Sequence, residues 1–384
     1  MLFSTLLLVS LVGGVCASCR DFGIPASTFT VEVRAFQVQN STLVDLAHTL
    51  VKPVLPGREN GSFPVYAFLL DHRDSKNRTR RIMFDLGFRK DPSNFAPALV
   101  PYFTSGAVHF EPSGRDVTDL LHAGGISLDI IDTVIWSHAH FDHIGDMSKF
   151  PNTTRLVLGS ETDTSTYPTS PNATLQESDF AGREVVKIDF ATANLTFSGL
   201  KAIDFFGDGS FYLLDTPGHL AGHLSALARV TPTSFVSLGA DTFHFAGQMR
   251  PRPALQNNFS CPGHLLEYAK EHISTDYFWS PESRDGAFDV HSRSQPLLGV
   301  SDTPDAFIAD PVTALVSVEK LAAFDSDPDI FVLASHDISL RAALPYFPAS
   351  LNDWKAKQLK TKTVWSFLDN TNPGFVFSPI NGTH

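Results

Sequence analysis

The segment Trp136-Ser-His-Ala-His-Phe-Asp-His-Ile-Gly-Asp146, WSHAHFDHIGD, places three histidines and two aspartates within eleven residues. Imidazoles crowded this closely repel one another once protonated, so the cluster needs a partner that offsets the repulsion. A bound cation is such a partner, because imidazole nitrogen and carboxylate oxygen both suit Zn(II). Residues 133–137, TVIWS, read as a buried strand. The cluster therefore sits at a strand's C-terminal end, where α/β folds commonly bind ligands. His138 and His140, two apart in extended chain, point the same way. Asp142 and His143 follow at the turn and offer an oxygen and a nitrogen to a neighbouring point. By chance H-x-H-x-D-H arises on the order of once in a thousand chains of this size.

One segment cannot enclose two metals, so further ligands are expected at other strand ends. Phe211-Tyr-Leu-Leu-Asp-Thr-Pro-Gly-His219 reads as a strand and a turn presenting His219. Phe235-Val-Ser-Leu-Gly-Ala-Asp241 ends in an aspartate, and Ile330-Phe-Val-Leu-Ala-Ser-His336 in a histidine. Each alone could be an ordinary turn residue or cap; together they describe one site.

The chain has 384 residues, 43% hydrophobic and 18% charged, a balance that can bury a full core. Its formal net charge of -12 and lack of a basic patch argue against nucleic acid as partner. Phenylalanine is abundant, 32 against 7 tyrosines, which serves either core packing or an apolar substrate pocket. Residues 1–17 read as a signal peptide cleaved after Ala17, although the positively charged n-region is missing. No later stretch is apolar for long enough to cross a bilayer, so no membrane association is expected. Eight of the thirteen asparagines, Asn40, Asn60, Asn77, Asn152, Asn172, Asn194, Asn258 and Asn381, head N-x-S/T sequons. Ordinary Ser/Thr frequencies would give about two. The chain is thus expected to be secreted and N-glycosylated, with Cys19 and Cys261 able to form one disulfide.

Ten β-rich runs recur: Phe29–Val38, Val65–Leu70, Arg81–Asp85, Thr133–Ser137, Arg155–Leu158, Val185–Phe190, Phe211–Asp215, Leu224–Arg229, Phe235–Gly239 and Ile330–Ala334. Helices are predicted from Asp310-Pro311 onward and over Asp116–His122. The fold class is α/β, with strands in runs rather than strict alternation. Residues 18–384 read as one domain, with residues 248–304 as an insertion or lid.

These motifs together resemble the metallo-β-lactamase superfamily, specifically its N-acyl-homoserine-lactone lactonase-like branch. The resemblance runs from about Val65 to Ile338 and rests on Ile82-Met-Phe-Asp85-Leu-Gly87, SHAHFDH, TPGHLAGH, Gly239-Ala-Asp241 and ASHD. It implies a four-layer αββα sandwich with a metal site at one edge, holding two zinc ions. His138, His140 and His219 would hold the first zinc; Asp142, His143 and His336 would hold the second, and Asp241 would bridge them. His223 would support from behind, and Asp85 would brace the metal loop. A bridging aspartate at Asp241 sets the chain apart from true β-lactamases. Where the lactonases place a tyrosine near the substrate carbonyl, this chain has His244, either a donor to substrate or a packing residue.

The resemblance implies a hydrolase in which metal-bound hydroxide attacks the carbonyl of a small-molecule substrate, with Asp142 shuttling the proton. No Gly-x-Ser-x-Gly elbow competes with that reading. A lactone is the expected substrate. A γ-lactam or cyclic carbamate of benzoxazolinone type is the runner-up, followed by a thioester of the glyoxalase II kind. An iron-dependent persulfide dioxygenase would use fewer ligands than are present. The sequence leaves the oligomeric state and the working metal open.

Overall fold

The computed structural model describes residues 17–110, 114–273 and 295–377. All ten expected β-rich runs form strands. Period-2 alternation divides their side chains between two faces. In β1 (Val31–Leu43), Val31, Val33 and Ala35 face inward, whereas Phe36 and Val38 face outward across a bulge at Gln37–Gln39. The first sheet also contains β2 (Gly61–Arg73), β3 (Thr79–Phe84), β4 (Val108–Phe110), β5 (Thr133–Ile135), β6 (Arg155–Gly159) and β7 (Val185–Ile188). Its order is β7-β6-β5-β3-β2-β1-β4. The second sheet runs β8 (Leu195–Phe197), β9 (Leu200–Asp204), β10 (Phe211–Asp215), β11 (Leu224–Thr231), β12 (Ser234–Leu238) and β13 (Ile330–Leu333), in that order.

One apolar core lies between the sheets, where Val33, Phe68 and Phe84 meet Phe211, Leu213 and Leu238. The outer face of the first sheet packs Met83, Val134 and Trp136 against Val117 and Leu121 of the helix Val117–Ala123. That helix starts at Asp116 with a reciprocal cap and stops at Gly124. The outer face of the second sheet packs Tyr212, Leu214 and Leu227 against Val318, Leu321 and Phe324 of the helix Pro311–Ser326. The side chain of Asp310 accepts from the backbone of Val312 and Thr313, the N-cap its sequence promised. The layers are therefore α, β, β and α. Among the described residues no helix is long and apolar enough to cross a membrane.

Strand direction gathers the site. β3, β5 and β6 are parallel, and β10, β12 and β13 share one direction in the second sheet. Their C-terminal ends lie at one edge of the sandwich. The Leu224 backbone N–H donates to the Ser137 carbonyl at 2.8 Å and sews the two edges together.

The described parts of the 248–304 segment, 248–273 and 295–304, hold more regular structure than their weak periodicity suggested, and residues 274–294 lie outside the described residues. Helices Pro253–Asn258 and Gly263–Ala269 and a short strand, Gly299–Val300, pack on the body, the last pairing antiparallel with Val51–Lys52. Leu255, Cys261 and Leu298 join Leu43, Phe63 and Trp365 in one apolar cluster.

Two sequence expectations change. Cys261 is a free, buried thiol, pushed up to about 12 by burial, so the Cys19–Cys261 disulfide does not form. The physical reason is placement: Cys19 sits in the apolar cluster beneath the second sheet's helix, whereas Cys261 lies in the other cluster around Trp365. Asn40 is buried in β1 and its amide oxygen accepts from Gln37 at 2.8 Å, which removes it as a glycan acceptor. Asn60, Asn77, Asn152, Asn172, Asn194 and Asn258 are exposed, whereas Asn381 and residues 1–16 of the expected signal peptide lie outside the described residues.

Candidate metal centre

All seven side chains expected from the four strand ends meet at one edge of the sandwich. They form two groups, His138, His140, His219 and Asp241 in one, Asp142, His143 and His336 in the other. In the first group, His138 Nε2, His140 Nδ1 and His219 Nε2 form a triangle with sides of 3.0, 2.9 and 3.2 Å. Neutral imidazoles offer one N–H each, so such a triangle sets lone pairs against each other. A tetrahedral ion with bonds of about 2.0–2.1 Å would separate its ligands by roughly 3.3 Å. The triangle has the size and the chemistry of a ligand face.

Asp241 reaches both groups. Its Oδ2 lies 3.3 Å from His219 Nε2 and 3.7 Å from His138 Nε2. Its Oδ1 lies 3.3 Å from both His143 Nε2 and His336 Nε2. Asp142 Oδ2 closes the second group at 3.2 Å from His336 Nε2 and 3.7 Å from His143 Nε2. His143 Nε2 and Asp241 Oδ1 are buried without a hydrogen-bond partner. Buried polar atoms without partners are costly, and a cation between them would satisfy both. The seven residues therefore fit a pair of ions.

The atoms behind the ligands set their orientation. His143 Nδ1 contacts Asp85 Oδ2 at 2.9 Å, and His336 Nδ1 contacts the Pro64 carbonyl at 2.9 Å. His138 Nδ1 lies 3.0 Å from Ser137 Oγ. These contacts leave Nε2 of all three rings free for the centre. His223 donates through Nδ1 to the Thr216 carbonyl at 2.8 Å and accepts through Nε2 from the Asp241 backbone N–H at 3.2 Å. Burial holds His223 down to about 4, so it stays neutral and keeps that pattern. It supports Asp241 rather than facing either group.

Charge at the two groups differs in sign of demand. Burial pushes His138 and His219 well below the usual imidazole range and His140 down to about 4. Burial also opposes protonation of His336, but Asp241 and Asp142 beside it raise it to about 10. The two carboxylates thus create a strong pull for positive charge at the second group.

Two backbone positions serve the loops. Gly218 has φ of +122°, and a Cβ there would strike the Ala314 backbone nitrogen. The His219 loop can therefore press against the helix Pro311–Ser326, with Asp310 N–H donating to the Gly218 carbonyl at 2.9 Å. Ala240, before Asp241, sits at φ +46°, a conformation that non-glycine residues hold only where the surroundings over-determine it.

The groups form the floor of a pocket of about 50 Å³ walled by Phe63, Phe88, Phe141 and Phe307. Sequence reasoning missed these walls individually, because β2, the β3–helix connection, the metal loop and the segment before the helix Pro311–Ser326 each contribute one. His244 also lines the pocket. Its Nε2 lies 3.2 Å from Asp241 Oδ2, and its ring stacks parallel to that of His336 at 5.7 Å.

The family model described as the metallo-beta-lactamase superfamily matches residues 61–230. The gamma-lactamase FDB1 of Fusarium pseudograminearum is 33% identical over 373 residues, covering 91% of this chain and 84% of that protein. The chain belongs to the metallo-β-lactamase superfamily. Another relative, the cytochrome P450 monooxygenase mpaDE of Penicillium brevicompactum, is 38% identical over 357 residues, 90% of this chain. This chain spans only 38% of that relative's length. A solved N-acyl homoserine lactone hydrolase, with N-hexanoyl-L-homoserine at its catalytic metal centre, shares the fold. Its TM-score is 0.53 at 17% identity, covering 84% of this chain and 99% of that one.

Asp85 gives a direct test of the bracing contacts. It is buried at φ +59°, and accepts from the Ser137 backbone at 2.7 Å and hydroxyl at 2.8 Å as well as meeting His143. Asparagine tolerates left-handed backbone, so Asp85→Asn removes the charge without forcing the chain to move. Metal affinity in competition with a chelator is expected to fall about 10–100-fold. Unchanged affinity would remove the bracing role.

Proposed function

We propose that this chain is a dinuclear zinc hydrolase that opens a small cyclic ester. The observation carrying this reading is Asp241, whose two oxygens address two histidine groups on the floor of an aromatic pocket. A pair of zinc ions held there would lower the pKa of a shared water towards about 7 and polarise a substrate carbonyl.

The protein's own side chains supply the rest. Phe63, Phe88, Phe141 and Phe307 exclude bulk water and present apolar faces to the substrate ring. Among the described residues no Lys or Arg lines the pocket, which favours a neutral substrate. Asp142, whose side chain is 16% exposed, sits where a carboxylate can take a proton and pass it to the leaving oxygen. His244 holds Asp241 from the substrate side and can donate to an oxygen in the pocket once a ligand displaces that contact.

A γ-lactam or benzoxazolinone-like carbamate is the second reading, supported by the full-length likeness to a gamma-lactamase. A glutathione thioester would carry charged carboxylates remote from the scissile bond, and among the described residues no Lys or Arg of the pocket is there to meet them. We propose that the reaction takes place outside the cell; the signal-peptide-like sequence of residues 1–17 and the six exposed sequons support this reading.

The test is a hydrolysis screen of zinc-loaded protein across lactones, γ-lactams and thioesters, with His138→Ala as control. Lactone opening is expected. Chelation should lower it at least about 100-fold, and added zinc should restore it. Undiminished turnover after complete demetallation would refute the proposal.

A further inference from the structure

The wall that closes the aromatic pocket has a second side. Leu50, Phe63, His244 and His336 line the pocket, whereas Val51, Ser62, Phe245 and Ile338, beside them in the chain, line another cavity. This cavity measures about 230 Å³, against about 50 Å³ for the aromatic pocket. Leu55, Leu298 and Val376 continue its apolar lining, and Arg58, Asn60 and Arg341 complete it.

Arg341 decides its chemistry. It is half-buried, and among the described residues its guanidinium makes no hydrogen bond or ion pair. Its backbone is held, with the carbonyl accepting from the Tyr346 hydroxyl at 2.7 Å. A guanidinium is a rigid fork matched to the two oxygens of a carboxylate. An apolar hollow beside such a fork suits a ligand with one anionic end and a greasy body; a bare inorganic anion would leave the hollow unused.

We propose that this cavity binds a small monocarboxylate with an aliphatic or aromatic body, its carboxylate on Arg341 and its body against Leu55, Leu298 and Val376. The ligand touches the same wall as a substrate would. Phe245 meets Phe63 edge-on at 5.4 Å, and Phe63 meets the His336 ring at 5.9 Å. Opening a cyclic ester or amide leaves an acid of this class. That link to the chain's own product rests on the proposed function; the binding site does not.

The probe is benzoate, titrated calorimetrically into the zinc-loaded full chain made without glycans, so that no sugar on Asn60 covers the rim. One benzoate per chain is expected. Its affinity should fall at least about tenfold in Arg341→Gln, which removes the charge, and in Leu55→Trp, which fills the hollow. His138→Ala should leave it within about twofold, because the cavity lies behind the metal groups. Affinity unchanged in both cavity variants overturns the proposal, as does loss in His138→Ala, which would put benzoate at the metal centre. Absence of any binding up to about 10 mM overturns it too. Failure of the hydrolysis screen would leave the benzoate result standing, so the two readings fail separately.

Discussion

Asp241→Asn is expected to lower kcat/KM by at least about 10³-fold and to reduce bound metal from two ions per chain to one or fewer. The side chain keeps its shape, so the loss reports charge and donor chemistry. In the wild type each carboxylate oxygen faces a different group at 3.3 Å. An amide replaces one of those oxygens with an N–H2 that points hydrogens at ring nitrogens or at an ion. The remaining oxygen is neutral and can serve one group only. The Asp241 backbone N–H still donates to His223, so the loop should stay in place. Elemental analysis and steady-state kinetics on the purified variant read both quantities. Two retained ions with activity within tenfold of wild type would show that Asp241 is not shared between the groups.

Asp325→Ala is expected to destabilise the fold by about 3–5 kcal/mol. Arg250 makes a two-pronged pair with Asp325, Nε to Oδ2 and Nη2 to Oδ1, both at 2.7 Å, and donates through Nη1 to the Val364 carbonyl at 2.9 Å. The pair thereby joins the start of the 248–304 segment to the long helix and to the C-terminal part of the chain. Lys360, buried nearby, donates to the Asp327 and Ile330 carbonyls at 2.7 and 2.6 Å, and burial lowers it to about 8. Removing Asp325 takes from the buried Arg250 its paired carboxylate and leaves its charge to repel that of the buried Lys360. Urea denaturation measures the loss. The double change Arg250→Met with Asp325→Leu, which removes both charges, should recover most of it; a single change costing under 1 kcal/mol would mean that water reaches the pair.

The metal groups were legible because strand ends carry their own signals. A β-rich run followed by a short turn and then a histidine names both the element and its tip, as at His219 after Asp-Thr-Pro-Gly and at His336 after Ala-Ser. In the second sheet the strands that carry His219, Asp241 and His336 share one direction, which brings their tips to the edge where the metal loop lies. The pocket walls had no such mark. Phe63 and Phe307 stand on elements that meet only when the sandwich closes, and nothing local separates them from the phenylalanines of the core. The polar half of β1, Gln39 to Thr42, lies beyond the expected run Phe29–Val38, but its backbone pairs with β2 and β4. The hairpin β8–β9 was hidden because short edge strands alternate weakly and carry polar residues. Cys261 misled for a related reason: two cysteines suggest a bond, and only burial in separate clusters shows that they cannot meet.

His138, His140, Asp142 and His143 come from the first sheet's edge, and His219, Asp241 and His336 from the second. Ions gripped there would act as rivets through a seam, absent from the unfolded chain and complete only when both halves have docked. Scarcity of metal would then be felt as looseness along the whole join, well before any single strand gave way.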